Sequence, residues 1–278
     1  MMTRNRLLVI ACLCSSASTA YAGTACPPLT RVGFSDLGSA SFRENGQIKG
    51  LTVDIASELA RRTGCKFEFH WYPRQRLFVE LSAGRIDMTL GAIRAPERDA
   101  YATYLPYAWL QYDLVLRTTA DSHYNSLTDF VERGSGRLNV TRGVVYDSAV
   151  ETQLAILLSR GRLELVNDYE TVFGKLEMGR ADGTLATPPI YTRYVKDRHL
   201  KNLSVIPMPE AAPRFTGIYV SRQTVPTAAR LRYAAALKDM IVDQQIARLY
   251  ERYFDEPTVR RIFRPGTPAL LTALSNVE

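Results

Sequence analysis

Histidine, cysteine and clustered positive charge are all scarce in this sequence, and their scarcity excludes several classes of function. The three histidines, His70, His123 and His199, stand apart and lack the spacing to cysteine or carboxylate residues that metal sites require. We therefore predict no metal and no other cofactor. The 35 basic residues exceed the 28 acidic ones, but they are scattered along the chain. This pattern argues against nucleic-acid binding, whose usual footprint is a basic patch.

Long apolar runs are also missing, since no stretch approaches the ~20 residues that a membrane-spanning helix needs. The N-terminus instead resembles a secretory signal, with basic residues up to Arg6, a short apolar core, and small residues up to Ala22. We predict that residues 1–22 are cleaved after Ala22 and that the protein is exported to the periplasm. The alternative is a lipoprotein anchored at Cys12, although the apolar core before this cysteine is unusually short.

Two cysteines, Cys26 and Cys65, remain once the signal is removed. An even number of cysteines in an exported chain indicates a disulfide. Each of the two precedes a predicted strand, near residues 31–34 and 66–71, and in a βαβ unit these positions lie at the same end of neighbouring strands. We therefore predict a disulfide between Cys26 and Cys65.

The most informative stretch is residues 84–107, with the sequence GRIDMTLGAIRAPERDAYATYLPY. Apolar residues recur along residues 86–92, which predicts a buried strand. Pro96 suits the first position of a helix and Glu97 suits its first turn, so we predict a short helix after this strand. Ligands bind beyond the carboxyl ends of strands in open α/β sheets, and helix starts favour anions. We therefore predict that Arg98 binds a ligand carboxylate or a similar anion.

Strands and helices alternate along most of the chain, first across residues 29–91 and again from residue 127 onward. In the second region the apolar spacing predicts helices at 147–159 and 169–178 and a strand at 184–187. A strand at 112–118 is followed by polar residues up to Asn125, and we place the first crossing between two lobes there. Pro207, Pro209 and Pro213 mark the return crossing.

These patterns resemble family 3 of the extracellular solute-binding proteins, which are bacterial periplasmic receptors for amino acids and related small solutes. Further similar segments are residues 46–60, GQIKGLTVDIASELA, and residues 179–183, GRADG. The chain departs from the family at Ile93 and Ala95, where the family has threonines, and at Thr187, where many amino-acid receptors have an aspartate that binds the ligand's ammonium group. In the main stretch the resemblance rests on Gly84, Arg85, Ile86, Asp87, Gly91, Pro96, Glu97, Arg98, Pro106 and Tyr107.

The resemblance implies a two-lobed α/β fold of the periplasmic binding protein type, type II, with two parallel-type lobes joined by two crossover strands. We expect the first lobe to comprise residues 23–113 and 214–278, and the second lobe residues 117–211. A hinge between lobes would let a small ligand be buried in the cleft between them.

The implied function is capture of a small carboxylate-bearing solute, an organic acid or an amino acid, for an importer in the inner membrane or for a sensor protein. We expect a monomer without catalytic activity. Because Thr187 cannot pair with an ammonium group, and Arg74 and Arg94 could add positive charge, an organic acid is favoured. The alternatives are a dehydratase-like enzyme, with Asp36 or Glu44 as its carboxylate, and a ligand-free accessory protein of an oxidoreductase. The expected ligand-binding residues are Arg98, Arg74, Ile93, Ala95, Asp36, Phe42, Trp71, Gly143, Val145 and Thr187.

Overall fold

The computed structural model describes residues 26–118 and 123–276, which form two α/β lobes, each built on a five-stranded sheet. The predicted signal peptide lies outside the described residues. Along the chain the elements are β1 (Thr30–Phe34), β2 (Phe42–Glu44), β3 (Gln47–Lys49), α1 (Leu51–Thr63), β4 (Phe67–Trp71), α2 (Arg74–Ser82), β5 (Met88–Ile93), α3 (Pro96–Asp99), β6 (Ala102–Leu110), β7 (Asp113–Arg117), α4 (Leu127–Arg133), β8 (Leu138–Thr141), α5 (Ser148–Ser159), β9 (Leu163–Val166), α6 (Tyr169–Glu177), β10 (Gly183–Ala186), α7 (Pro188–Asp197), β11 (Leu203–Pro207), β12 (Arg214–Ser221), α8 (Thr227–Val242), α9 (Gln245–Glu251), α10 (Glu256–Phe263) and α11 (Pro268–Ser275).

The sheet of the first lobe has the strand order β4-β1-β5-β12-β6. β1 runs parallel to β4 and β5, whereas β12 runs antiparallel to β5 and β6. Val32, Met88 and Leu90 of this sheet belong to one buried apolar cluster with Leu59 of α1 and Leu237 of α8. β12, which returns from the second lobe, lies between β5 and β6 in this sheet. Residues from the N-terminal and the C-terminal parts of the described chain therefore form one lobe.

The sheet of the second lobe has the order β11-β7-β10-β8-β9. β8 is parallel to β9 and β10, while β7 is antiparallel to β10 and β11. The two-lobed α/β fold is thus confirmed. Both sheets are only partly parallel, because the two strands that follow the crossings, β7 and β12, run antiparallel to their neighbours.

The chain crosses to the second sheet at residues 111–112 and returns between β11 and β12. The crossing predicted after the strand at 112–118 is wrong, because β7 already pairs with β10 and β11 in the second lobe. Leu114 and Leu116 of β7 are buried in the apolar core of the second lobe. The chain therefore enters this lobe before the polar run begins. The prolines that predict the return crossing do stand at the end of β11 and before β12.

The Cys26–Cys65 disulfide is confirmed, with a Cα–Cα distance of 5.4 Å. β1 and β4 are parallel neighbours, with Thr30 opposite Phe67, so the cysteines that precede them meet at one end of the sheet. On the chain-entropy account such a bond stabilises the folded state by roughly 3–4 kcal/mol.

The two C-terminal helices, α10 and α11, pack against the first lobe, where Ile262 and Leu270 join the same buried cluster as the central strands. The indole Nε1–H of Trp109 on β6 donates to the carbonyl of Gly266, at 2.7 Å, and fixes the turn between these helices. Across the described part of the chain, no helix combines the length and the apolar character that crossing a bilayer requires.

Candidate functional site

A cavity lies between the two lobes, and both lobes contribute to its wall. The lobes touch each other beside it, since the Ser39 N–H in the first lobe donates to the carbonyl of Pro189 in the second, at 2.7 Å. The arrangement is therefore that of a closed cleft.

Arg98 lies on the wall of this cavity, on the one-turn helix α3 that follows strand β5. Its side chain is 8% exposed, and the carboxylate nearest to it, that of Glu97, is 3.7 Å away and itself 67% exposed. The guanidinium carbon lies 3.6 Å from the centroid of the Phe78 ring. The ring thus packs against a buried cation whose carboxylate partner within 4.0 Å, among the described residues, is itself largely exposed to water.

Arg74, the first residue of α2, lines the same cavity and is 9% exposed. Two of its N–H groups donate, one to Ser35 Oγ at 3.4 Å and one to the carbonyl of Gly91 at 3.1 Å, while its buried Nε has no partner. Burial and the neighbouring Arg98 lower the pKa of Arg74 to about 10, so the side chain still carries its charge at neutral pH. The cavity therefore contains two guanidinium groups.

Gly91 shapes the part of the wall between these arginines. Its φ of +69° is a conformation that L side chains rarely adopt, and an added Cβ would lie 2.7 Å from Leu37 Cδ1. This geometry turns the end of β5 so that the Gly91 carbonyl accepts the bond from Arg74. A side chain at this position would both strain the strand and collide with Leu37.

The remaining polar groups on the wall are neutral. Among the described residues no aspartate, glutamate or histidine lines the cavity, whereas several tyrosines and threonines do. Burial raises the pKa of Tyr107 to about 12 and also raises the pKa values of Tyr112 and Tyr169. These hydroxyls stay protonated at neutral pH, so the net charge of the wall is positive.

Besides Tyr169, the second lobe contributes backbone and small side chains. Gly143, just after β8, has a φ of +77°, and an added Cβ would lie 3.4 Å from Gln75 Cγ on α2. Val145 follows it on the wall. Thr187 is 2% exposed and stands immediately before α7, yet its side chain makes no capping hydrogen bond. Its hydroxyl can donate to an anion or accept from a donor, but it carries no charge.

Residues 31–256 match the family described as bacterial extracellular solute-binding proteins, family 3. The chain belongs to this family. The match spans both lobes of the solute-binding protein and ends where α10 begins, so α11 and most of α10 lie beyond it.

The relatives of this family 3 protein carry names that refer to amino acids. A probable histidine-binding protein of Neisseria gonorrhoeae is 20% identical over 214 residues, which are 77% of this chain and 78% of the relative. An ancestral arginine-binding protein solved with arginine has a TM-score of 0.69 at 21% identity, covering 82% of this chain and 99% of its own. An ancestral amino acid-binding protein described as a precursor of cyclohexadienyl dehydratase has a TM-score of 0.67 at 22% identity, covering 82% and 96%. At these identities the structural likeness shows the fold alone.

Six of the ten residues expected to bind ligand meet on the wall of the cleft in this solute-binding protein. They come from three elements of the first lobe and two loops of the second, and they are Arg74, Ile93, Arg98, Gly143, Val145 and Thr187. Ile93 is 6% exposed and presents an apolar side chain where the family has a threonine. The wall therefore presents arginines without a threonine hydroxyl at position 93.

The other four expected residues lie elsewhere. Asp36, Phe42 and Trp71 line a separate cavity against α7. Asp36 is held there because it accepts hydrogen bonds from the Tyr194 hydroxyl and, at 3.0 Å, from the Gly38 N–H. Phe42 is stacked under the Arg193 guanidinium, 3.6 Å from the ring centroid.

Ala95 is buried away from the cavity, because its N–H and carbonyl both bond to the Tyr219 hydroxyl. Two further charged candidates also point outward. Arg94 is 65% exposed and pairs with Asp99 at 2.7 Å, and Glu44 pairs with Lys49 at 2.9 Å. The contribution of Arg94 that the sequence suggested is therefore not supported, and neither carboxylate considered for catalysis lines the cleft.

Sequence reasoning missed several aromatic residues of the site, among them Phe78, Tyr112 and Tyr169. Phe78 lies under both arginines, and Tyr112 and Tyr169 line the cavity. Tyr112 stands at the crossing between the lobes, and Tyr169 is the first residue of α6. Their positions at the ends of elements are the sequence feature that could have identified them as site residues. Phe78 follows Arg74 by one helical turn, the spacing at which two side chains of a helix meet.

Proposed function

We propose that this solute-binding protein captures a small carboxylate-bearing solute, an organic acid or an amino acid, in the cleft between its lobes. The observation that carries this proposal is Arg98, a buried guanidinium on the cleft wall whose closest carboxylate is 3.7 Å away and exposed. A planar guanidinium offers two parallel N–H donors that match the two oxygens of a carboxylate. A ligand carboxylate would satisfy these donors and balance a charge that is costly to bury alone.

The ligand need not be the one named for the relatives. Arginine and histidine, which appear in their names, can carry a positive side chain as well as an ammonium group. The cleft wall of this chain has no carboxylate among the described residues to pair with either group, and it holds two cations. A carboxylate is thus the part of the ligand that this wall recognises most directly.

We further propose that the protein works as a monomer in the periplasm, reached through the signal peptide at residues 1–22. Its partner would be the permease of an inner-membrane ABC importer, which would read the closed arrangement of the lobes. The family description, which names extracellular solute-binding proteins, supports this placement.

A receptor without catalytic activity fits the cleft better than an enzyme. Acid–base catalysis on a small acid needs a group that titrates near the working pH. No histidine or carboxylate lines the described cavity, and burial raises the pKa of each cavity tyrosine considered above. Incubation with chorismate-derived acids should leave them unchanged, and formation of a dehydrated product would contradict this conclusion.

The test of the binding proposal is a comparison of Arg98→Ala with Arg94→Ala by isothermal titration calorimetry, after a thermal-shift screen of organic acids and amino acids. Losing the charged hydrogen bonds of Arg98 should cost about 3 kcal/mol, which is roughly a 100-fold loss of affinity. Arg94→Ala removes an arginine four positions away that faces solvent, so affinity should change less than threefold. Wild-type affinity in folded Arg98→Ala would refute the proposal.

A further inference from the structure

Arg74 is a second buried cation that binding of one carboxylate by Arg98 does not explain. It is held in place by Ser35 Oγ and by the carbonyl of Gly91, yet neither of these groups is charged. Its Nε lies buried without a hydrogen-bond partner. In the described part of the chain no carboxylate oxygen lies within 4.0 Å of this guanidinium, whereas Arg98 has Glu97 at 3.7 Å.

The two cations of the cleft are close to each other. Their guanidinium carbons lie 4.8 and 3.6 Å from the centroid of the same Phe78 ring, Arg74 at the longer distance and Arg98 at the shorter. The attraction of each cation to the ring offsets part of its loss of hydration. It does not remove the repulsion between two like charges in a medium of low dielectric constant.

The described carboxylates near the cleft either pair with other groups or are largely exposed to water, so they do not neutralise this pair within the cleft. Asp36 accepts its bonds from Tyr194 and Gly38 in the neighbouring cavity, Glu44 pairs with Lys49, and Glu97 is 67% exposed. The charge that balances both arginines must therefore come from the bound solute.

We propose that Arg74 forms a second anion subsite, so that the solute of this cleft carries two acidic groups and no ammonium group. This inference rests on the proposed function, because it assigns the ligand class of the same cleft. A solute with a single acidic group leaves one buried cation unbalanced, and a zwitterion adds a third positive charge. Because both arginines flank one ring, the two acidic groups must be close together, as in a short dicarboxylic acid.

The chemistry around the arginines agrees with this class. Ile93 and Tyr107 give the wall an apolar and aromatic surface, which suits the carbon skeleton between two acidic groups. Thr187, the position at which an ammonium group would need an anion, offers only a hydroxyl. No carboxylate described on the wall would balance a positive group on the ligand.

The experiment measures affinities by calorimetry for matched sets built on one carbon skeleton. Succinate, glutarate and phthalate supply two acidic groups, their monomethyl esters supply one, and aspartate and glutamate add an ammonium group. In the wild-type protein a diacid should bind at least tenfold tighter than its own monoester and tighter than the matching amino acid. In Arg74→Gln this diacid-to-monoester ratio should fall below threefold, while in Arg94→Gln, the solvent-facing control, it should stay at its wild-type value.

Several results would overturn the inference. One is a diacid-to-monoester affinity ratio near one in the wild-type protein. This result needs no variant, so it decides the question even if Arg74→Gln fails to fold. Another is an unchanged ratio in folded Arg74→Gln. Tighter binding of aspartate or glutamate, lost in Arg98→Ala, would contradict the claim that the solute carries no ammonium group and so overturn the inference, but it would leave the proposed function standing. If the wild-type protein binds no acid or amino acid of the set, both fall.

Discussion

Gly38 is the position at which a single methyl group should keep the cleft from closing. It belongs to the first lobe, its φ is +60°, and an added Cβ would lie 2.5 Å from the carbonyl oxygen of Pro189 and 2.7 Å from Cα of Ile190. These are backbone atoms at the start of α7 in the second lobe, so they cannot move aside as a side chain could. Relief of the collision requires the two lobes to separate.

The magnitude follows from the contacts that separation would break. The Ser39 N–H bond to Pro189 and the bond from the Tyr194 hydroxyl to Asp36 both join the two lobes here. These two hydrogen bonds together contribute about 1–3 kcal/mol to the closed arrangement. Because the proposed ligand site is formed by both lobes, Gly38→Ala should weaken ligand affinity at least tenfold.

Gly46→Ala is the matched control. Gly46 also has a positive φ, +78°, but an added Cβ there has no heavy atom within 4 Å. In both variants an alanine must adopt a positive φ, which costs about 1–2 kcal/mol. Only Gly38→Ala also opposes closure of the lobes. Small-angle X-ray scattering should show a larger radius of gyration for Gly38→Ala alone. A Gly38→Ala protein with the scattering and affinity of the Gly46→Ala protein would refute the reasoning.

Two further predictions concern buried charges at the contact between the lobes. Arg261 on α10 donates to both oxygens of fully buried Asp113, at 2.9 and 2.6 Å, so Arg261→Met should lower the free energy of unfolding by about 3–5 kcal/mol. Denaturant unfolding should show that adding Asp113→Asn to Arg261→Met restores part of the lost free energy of unfolding. If the losses of the two single variants simply added in the double variant, the prediction would be contradicted. Burial raises the pKa of Asp36 in the closed form. The closed form therefore binds the carboxyl proton of Asp36 more tightly than an open form in which Asp36 faces water. The stabilisation of the closed form from this group is present at low pH and is lost as pH rises through the raised pKa. Scattering from the ligand-free protein should therefore show a closed fraction that increases from about pH 7 towards about pH 4, and Asp36→Asn should remove this dependence.

The sequence predicted those parts of the fold that depend on local pattern. The apolar run before Pro96 predicted a strand, and β5 is found at Met88–Ile93 with Arg98 one turn beyond it. The helices predicted at 147–159 and 169–178 correspond to α5 and α6. Local spacing sufficed here because each element buries one face and ends at a turn or capping residue.

Side-chain direction across the cleft could not be predicted in the same way. Asp36 follows β1, as a ligand-binding residue would, but Tyr194 of the other lobe holds its carboxylate in a different cavity. Arg74 and Arg94 looked equivalent as arginines near helix starts, yet Ser35 and Gly91 draw one inward while Asp99 draws the other outward. These outcomes depend on partners distant in sequence, which only the folded chain brings together.

The most direct test of the central claim is a crystal structure of the protein with the tightest-binding acid of the matched sets. We predict that one carboxylate of the ligand lies in the cleft with both oxygens about 3 Å from the guanidinium nitrogens of Arg98. A ligand bound outside this cleft, or bound within it with its carboxylate contacting neither Arg98 nor Arg74, would contradict the account.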